Sequence, residues 1–413
     1  MKTLFNNLLL LLLLILPFVS ACDQDDEPAP PQSISTAAEL TNALAGILAQ
    51  NAAPGFALTI VSNDAIIYQE AFGQAEVANE TPFTNQTVQP LASVSKTFVG
   101  AATAKAIALG LFELETDIND LLPVSIVNPK QPDAVIQVKH LLTHTSGLLD
   151  NPSTYFVANY SILPGQDINT PGARMLTDQL GILQRPSRSL EDYLADYLLV
   201  DGDFYSLDNF ADATTGSSWS YSNMGTALMA YLIEQAAEQP FHLFVKEQVL
   251  EPLGMNTATY QLEEVDLAQL NHWYFDRNTP FPYYDNDSYA EGNLFTSNTE
   301  LGYYLLDMVH GSQGQSNLLF SSDYYDLLFS DQLPAGQVPA DFGDNHSLFW
   351  IKDGSKYRHG GNSFGVSAYL EVDPARAQGY SFMTNLDAVF NQQSYNQLSS
   401  AIADAINSFL AAN

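Results

Sequence analysis

Ser93-Val94-Ser95-Lys96 opens an alanine-rich run that continues to Leu109 and stops at Gly110. On a helix, residues i and i+3 share a face, so the Lys96 amine can reach the Ser93 hydroxyl. If the helix begins at Ser93, that hydroxyl also sits where free N–H groups and the positive dipole end favour a developing anion. A serine hydroxyl attacks poorly until a base takes its proton. Lys96 can serve only if desolvation lowers its pKa, and the apolar neighbours Ala92, Phe98 and Val99 predict such a site. Taken alone, the four residues also suit a capping serine beside a surface lysine. Lysine is scarce, with eight in the chain, and no other Ser-x-x-Lys occurs.

Two further stretches supply complementary chemistry. In Tyr221-Ser222-Asn223, an extended backbone would point Tyr221 and Asn223 the same way, toward one cleft. The phenol can relay a proton to a leaving group, and the amide can hold Lys96 together with a substrate carbonyl. His359-Gly360-Gly361 precedes Asn362 and is expected to open a strand. Paired glycines let a substrate approach the backbone of an edge strand. The N–H of Asn362 would then join that of Ser93 as an oxyanion hole. Read singly, Tyr-x-Asn and Gly-Gly are common in turns.

Together and in this order, the three motifs resemble the serine β-lactamase and penicillin-binding-protein superfamily, marked by Ser-x-x-Lys, Tyr-x-Asn or Ser-x-Asn, and Lys-Thr-Gly. Leu141-Leu142-Thr143-His144-Thr145-Ser146-Gly147-Leu148, Leu253-Gly254-Met255 and Gly292-Asn293-Leu294 are similar to segments of its class C-like branch. The resemblance runs from about residue 36 to the C-terminus. It implies Ser93 as the acylated nucleophile, Lys96 as its base, Tyr221 as general acid/base and Asn223 as the substrate-orienting amide. It also implies an active site lying between a sheet lobe and a helical lobe. His359 and Gly360 depart from the pattern, standing where the lactamases carry Lys and Thr or Ser. A histidine of ordinary pKa is mostly neutral at pH 7, which weakens the grip on a substrate carboxylate. Esterase-like and D-aminopeptidase-like members are more similar here.

The ends of the domain define the fold class. Thr36-Ala37-Ala38-Glu39 has the form of a capping box, and Leu40, Leu44, Ile47 and Leu48 follow at helical spacing. Phe56 to Val61 and Ala65 to Tyr68 read as strands around a turn at Ser62-Asn63-Asp64. Val366 to Val372 and Tyr380 to Met383 mirror them, before a closing helix over Gln393 to Leu410. The expected class is α/β (α+β), an antiparallel sheet flanked by helices plus a mostly helical lobe. Leu190 to Leu199 and Met224 to Ala237 are helical candidates. Residues 149–187 read as an extended loop or insertion. The sheet lobe is expected over about 36–90 and 340–413, and the helical lobe over about 91–339.

The first 21 residues read as a signal segment: Lys2, an aliphatic run from Leu8 to Leu16, Pro17, then Val19-Ser20-Ala21. Cys22, the only cysteine, completes what looks like a bacterial lipobox and is the expected lipidation site. An ordinary signal peptide with an incidental cysteine is the alternative. Residues 22–35, acidic and proline-rich, read as a tether; they also resemble a surface-export signal of some lipoproteins. The expected location is the bacterial cell envelope. A lone cysteine makes no intramolecular disulfide, so the core must hold the domain. A formal charge of −33 argues against nucleic acid as a partner and suits either a cationic substrate or solubility.

His140 and His144 have the spacing of a zinc pair, but Leu141 stands where a zinc protease needs its glutamate, so no metal is expected. No organic cofactor is expected either. Trp273, Tyr274, Phe275, Phe281, Tyr283, Tyr284 and Tyr289 either line the cleft or pack the lobe. The functional expectation is a serine hydrolase working through an acyl-enzyme on an ester, amide or D-aminoacyl peptide. The alternatives are a D-Ala-D-Ala carboxypeptidase or β-lactamase and, in another class, a catalytically silent lipoprotein that binds peptidoglycan or a partner.

Overall fold

The computed structural model describes residues 34–413. The signal segment, Cys22 and nearly all of the tether lie outside the described residues. The first helix, α1 (Ala37–Ala49), starts with the expected capping box: Glu39 N–H donates to Thr36 Oγ1 at 3.2 Å, and Thr36 N–H to Glu39 Oε2 at 3.0 Å. Its apolar face buries Leu40 and Leu44.

The strands β1 (Gly55–Ser62), β2 (Ala65–Glu76), β3 (Thr81–Pro82), β4 (Asn345–His346), β5 (Ile351–Asp353), β6 (Lys356–Ser363), β7 (Val366–Asp373) and β8 (Gln378–Thr384) form one sheet in the order β4-β5-β6-β7-β8-β1-β2-β3. All of its pairings are antiparallel. The central strand β1 is buried along its whole length, and its alternation sorts two cores. Phe56, Leu58 and Ile60 point to one face, onto α1 and the closing helix α5 (Gln392–Ala412), with Leu398, Ile402 and Ile406. Ala57 and Val61 point to the other face and join the larger core. Each fully buried Leu or Ile contributes roughly 1.5–3 kcal/mol.

On that second face lies α4 (Asn298–Gly311), tied to β1 by Thr59 Oγ1, which donates to Asn298 Oδ1 at 3.0 Å. Behind it runs α2 (Ser95–Ala108), buried on nearly every side. Such a helix is a core element rather than an amphipathic cover. Gly100 permits the fit, because a Cβ there would come within 2.4 Å of the Leu348 carbonyl oxygen. The neighbouring α3 (Asn223–Ala237) is buried from Met224 to Ile233.

Two expectations change here, and the choice left open for the aromatic stretch falls to packing. Residues 149–187 are structured rather than an extended loop: a helix at Tyr155–Asn159 leads into a strand at Tyr160–Ile162, which pairs with Leu183–Gln184 and Tyr284–Asn286. Buried Asp287 clamps the segment by binding Arg185 at 2.7 Å and Arg188 at 2.8 Å. The aromatic stretch packs this lobe, with Trp273, Phe281 and Tyr284 against Tyr160 and Phe364. Finally, His359-Gly360-Gly361 lies inside β6 instead of opening it. The turn at Gly354 (φ 60°) starts the hairpin earlier, and Tyr357 faces inward.

Candidate active site

Ser93 lies on a single 3-10 turn, Ala92–Val94, immediately ahead of α2. Ala92 holds φ 47°, a left-handed conformation that costs an L-residue about 1–2 kcal/mol. Flanking bonds keep it there: Leu91 N–H donates to the Leu294 carbonyl at 3.0 Å, and Leu294 N–H to Ser95 Oγ at 3.2 Å. The Gly292-Asn293-Leu294 segment is therefore stitched to both sides of the nucleophile turn.

Lys96 has no exposed surface, and its Nζ donates to Ser93 Oγ at 3.1 Å. It also donates to the Glu291 main-chain oxygen at 2.9 Å and to Glu291 Oε2 at 2.8 Å. These three acceptors saturate an ammonium. Burial by itself pulls the Lys96 pKa down, but the Glu291 carboxylate and Tyr221 outweigh it, and the net direction is up. This reverses the expected depression. The apolar sequence neighbours face the core, while the amine reaches an acid 195 residues further along the chain. Sequence reasoning missed Glu291, although this acid directly precedes the Gly292-Asn293-Leu294 segment.

The Lys96 Nζ lies 5.2 Å from the centre of the Tyr221 ring. Burial raises the Tyr221 pKa, while Lys96 and a hydrogen bond with Ser93 oppose the rise. Hydroxyl, amine and phenol thus converge on one spot. Around the Tyr221 ring stand His144 at 4.5 Å, Phe342 at 5.8 Å and His359 at 6.3 Å between centroids.

Asn223 differs from its expected setting and from its expected contact with Lys96. It is the first residue of α3, not part of an extended stretch, and Lys96 has no proton left for it. Ser222 is the cap, accepting from Gly225 N–H at 2.8 Å. Asp150 accepts the N–H groups of Asn223 at 3.0 Å and Met224 at 2.9 Å. The Asn223 amide oxygen is buried with no protein partner among the described residues, which leaves it available to a ligand.

His140 and His144 do not share a helix. The helix ends at Leu142, and His144 turns away at φ 57° to accept Ser222 N–H at 3.2 Å. Among the described residues, no group of three or more His, Cys, Asp or Glu is placed to hold a metal.

The two glycines of β6 are not equivalent. A Cβ on Gly360 would meet only Tyr369, at 3.9 Å, whereas one on Gly361 would lie 2.3 Å from the Leu91 oxygen and 2.9 Å from the nitrogens of Ser93 and Val94. Gly361 therefore lets β6 press against the nucleophile turn, rather than admitting a substrate as the pair was expected to do. Gly361→Ala must shift that turn, and displacements approaching 1 Å cost on the order of 100-fold in rate. Gly360→Ala is expected to stay within about threefold of wild type, since its contact is ordinary. Ester turnover of the two variants, with thermal melts as a control for folding, checks the contrast.

His359 is buried, and burial followed by the Lys96 charge drives its pKa well below the usual value. Its Nδ1 lies 2.7 Å from the Gly360 carbonyl, which places the proton on that nitrogen of the neutral ring. His346 is lowered by burial to about 4. Between about 6.5 and 4, the unfolded chain takes up a proton there that the folded chain refuses, so stability falls as pH drops through this window. His346→Asn is expected to reduce the stability lost between pH 7 and pH 5 by on the order of 2 kcal/mol. Urea unfolding of both proteins at the two pH values measures it, with Asp150 and Asp307, each raised to about 6 by burial, common to both.

Residues 40–401 match the family model described as Beta-lactamase. The chain belongs to the beta-lactamase family. It is 26% identical over 210 residues to Penicillin-binding protein 4* of Bacillus subtilis (strain 168), covering 50% of this chain and 38% of that protein. It is 28% identical over 249 residues to Esterase EstB of Burkholderia gladioli, covering 59% of this chain and 56% of that protein. The matched region thus spans between a third and three-fifths of these relatives' lengths. Among solved structures, the octameric penicillin-binding protein homologue from Pyrococcus abyssi superposes with a TM-score of 0.68 at 20% identity, covering 89% of this chain and 77% of that one. The D-amino acid amidase from Ochrobactrum anthropi SV3 gives 0.65 at 17% identity, covering 89% and 99%. At these identities the likeness concerns the fold, an antiparallel sheet backed by helices with a second lobe. Among the described residues, no helix is long and apolar enough to cross a membrane.

Proposed function

We propose that the protein is a serine hydrolase that forms an acyl-enzyme on Ser93 from an ester or from an amide such as a D-aminoacyl peptide. The carrying observation is the 3.1 Å contact between Ser93 Oγ and Lys96 Nζ within reach of Tyr221. Ser93 attacks the carbonyl, and the N–H groups of Ser93 and Asn362 receive the oxyanion. Gly361, fitted against the Ser93 nitrogen, keeps these two donors on facing elements. Tyr221 protonates the leaving group, and the Asn223 side chain, whose amide oxygen has no protein partner among the described residues, orients the substrate. Water then releases the acid.

His359 narrows the substrate class. A buried, neutral imidazole offers no positive charge to a carboxylate next to the scissile bond. Esters and amides lacking that carboxylate are therefore preferred over β-lactams and D-Ala-D-Ala termini. Esterase EstB and the D-amino acid amidase fit this preference by their names. Attachment to the bacterial cell envelope through lipid on Cys22 belongs to the same proposal and is checked by mass spectrometry of the mature N-terminus.

Exposure to p-nitrophenyl acetate, a D-phenylalanine amide, nitrocefin and a D-Ala-D-Ala peptide, followed by intact-mass analysis, tests the reading. Added mass on Ser93 from the ester or amide is expected. Mass from nitrocefin or the D-Ala-D-Ala peptide alone would transfer the assignment to the carboxypeptidase and lactamase alternative. No adduct from any of the four would leave the silent binding lipoprotein in its place.

A further inference from the structure

A saturated ammonium takes no proton, so the Ser93 proton needs a destination beyond Lys96. We propose that Glu291 is that destination, the terminal proton acceptor of a Ser93–Lys96–Glu291 relay. The inference rests on the acyl-enzyme reading above.

Glu291 is nearly inaccessible, with 4% of its side chain exposed. One carboxylate oxygen, Oε2, faces Lys96 at 2.8 Å. The other, Oε1, accepts from the Tyr155 hydroxyl at 3.1 Å, Asn286 Nδ2 at 3.0 Å and the Ser288 hydroxyl at 3.3 Å. Three donors on the far oxygen hold the near one in line with Nζ. Ser288 is itself fixed by Asn159, whose amide exchanges two 2.9 Å bonds with it. Burying an ion pair is expensive, and an apolar pair of similar volume would hold the fold as well. An acid oriented this carefully toward the amine beside a nucleophile is therefore better explained by proton transfer than by stability.

The step balances. As Ser93 Oγ bonds to the acyl carbon, its O–H breaks and the proton passes to Nζ, while an Nζ proton passes to Glu291 Oε2. Lys96 remains an ammonium and the carboxyl becomes neutral. When the leaving group departs with the Tyr221 proton, Lys96 replaces it and Glu291 returns its own to Lys96. Facing the pair are the phenols of Tyr155, Tyr160, Tyr221 and Tyr284, the Asp150 carboxyl, and the imidazoles of His144 and His359. None of these except Tyr221 has a part in the relay.

The test measures single-turnover acylation by p-nitrophenyl acetate between pH 5 and 10 for the full chain and for Glu291→Gln and Glu291→Asp. Glu291→Gln keeps the shape without accepting a proton. Its acylation is expected to fall about 100- to 1,000-fold at pH 7, with the acidic limb moved to higher pH, where Lys96 must first lose its proton to solvent. Glu291→Asp is expected to recover at least tenfold of that loss and to restore the limb. Wild-type acylation of Ser93 with an unshifted Glu291→Gln profile would overturn the relay and leave the nucleophile assignment standing. A uniform loss in both variants with no change in profile would also overturn it, in favour of a packing role. Absence of any acylation of wild type would remove both.

Discussion

Ser93→Ala is expected to give a folded protein that takes no label from p-nitrophenyl acetate and whose turnover falls by about 10⁴- to 10⁶-fold. The fold is expected to survive because the Ser93 side chain makes its contacts with Lys96 and Tyr221 and caps nothing, while neighbouring backbone bonds hold the turn. The loss is expected to be near total because hydroxyl, amine and phenol act as a unit, so removing one leaves the others without a task. What remains comes from the oxyanion donors and substrate binding. Digestion and mass spectrometry of the labelled wild type should find the acyl group on the peptide containing residue 93. Labelling of the alanine variant at the wild-type rate would remove Ser93 from the mechanism.

Lys96→Ala should be as damaging to catalysis and also destabilising. It leaves the Glu291 carboxylate buried without its cation, and breaking a buried pair by removing one member costs about 3–5 kcal/mol. Combining Lys96→Met with Glu291→Gln removes both charges and is expected to restore most of that stability while leaving ester turnover lost. Urea unfolding of Lys96→Met, Glu291→Gln and the double variant forms a cycle that isolates the coupling. Strictly additive destabilisation would show that the two groups do not act as a pair. The divergence of stability from activity in the double variant separates chemistry from architecture.

Much of this molecule can be read along the chain because its signals are local. The capping box at Thr36, the turn at Ser62-Asn63-Asp64 after Phe56 to Val61 and the break at Gly110 depend on residues a few positions apart. Most expected elements lie within a few residues of those found, although β2 runs on to Glu76 where Tyr68 is its expected end. Ser93 and Lys96 are likewise one turn apart. The partners of Lys96 and Asn223 are not local. Glu291 approaches from a different lobe segment, and Asp150 reaches the start of α3 from 73 residues away. Neither acid belongs to a periodic pattern, so the apolar neighbours of Lys96 suggested the wrong direction for its pKa. Asn223 was misplaced for a related reason, because Ser222 as a cap ends the extended backbone one residue earlier. The segment 149–187 reads as irregular since its short elements draw their order from Asp287 and from aromatic rings donated by distant stretches.

Tyr155 and Asn159 belong to that segment; Tyr155 directly and Asn159 through Ser288 hold Glu291, which binds the lysine beside the nucleophile. Peripheral segments of this kind are usually the exchangeable part of an enzyme, lengthened or trimmed without touching the reaction. Here such editing would unseat the carboxylate. Engineers wishing to graft a new substrate-binding lobe onto this scaffold would have to carry those residues across with it.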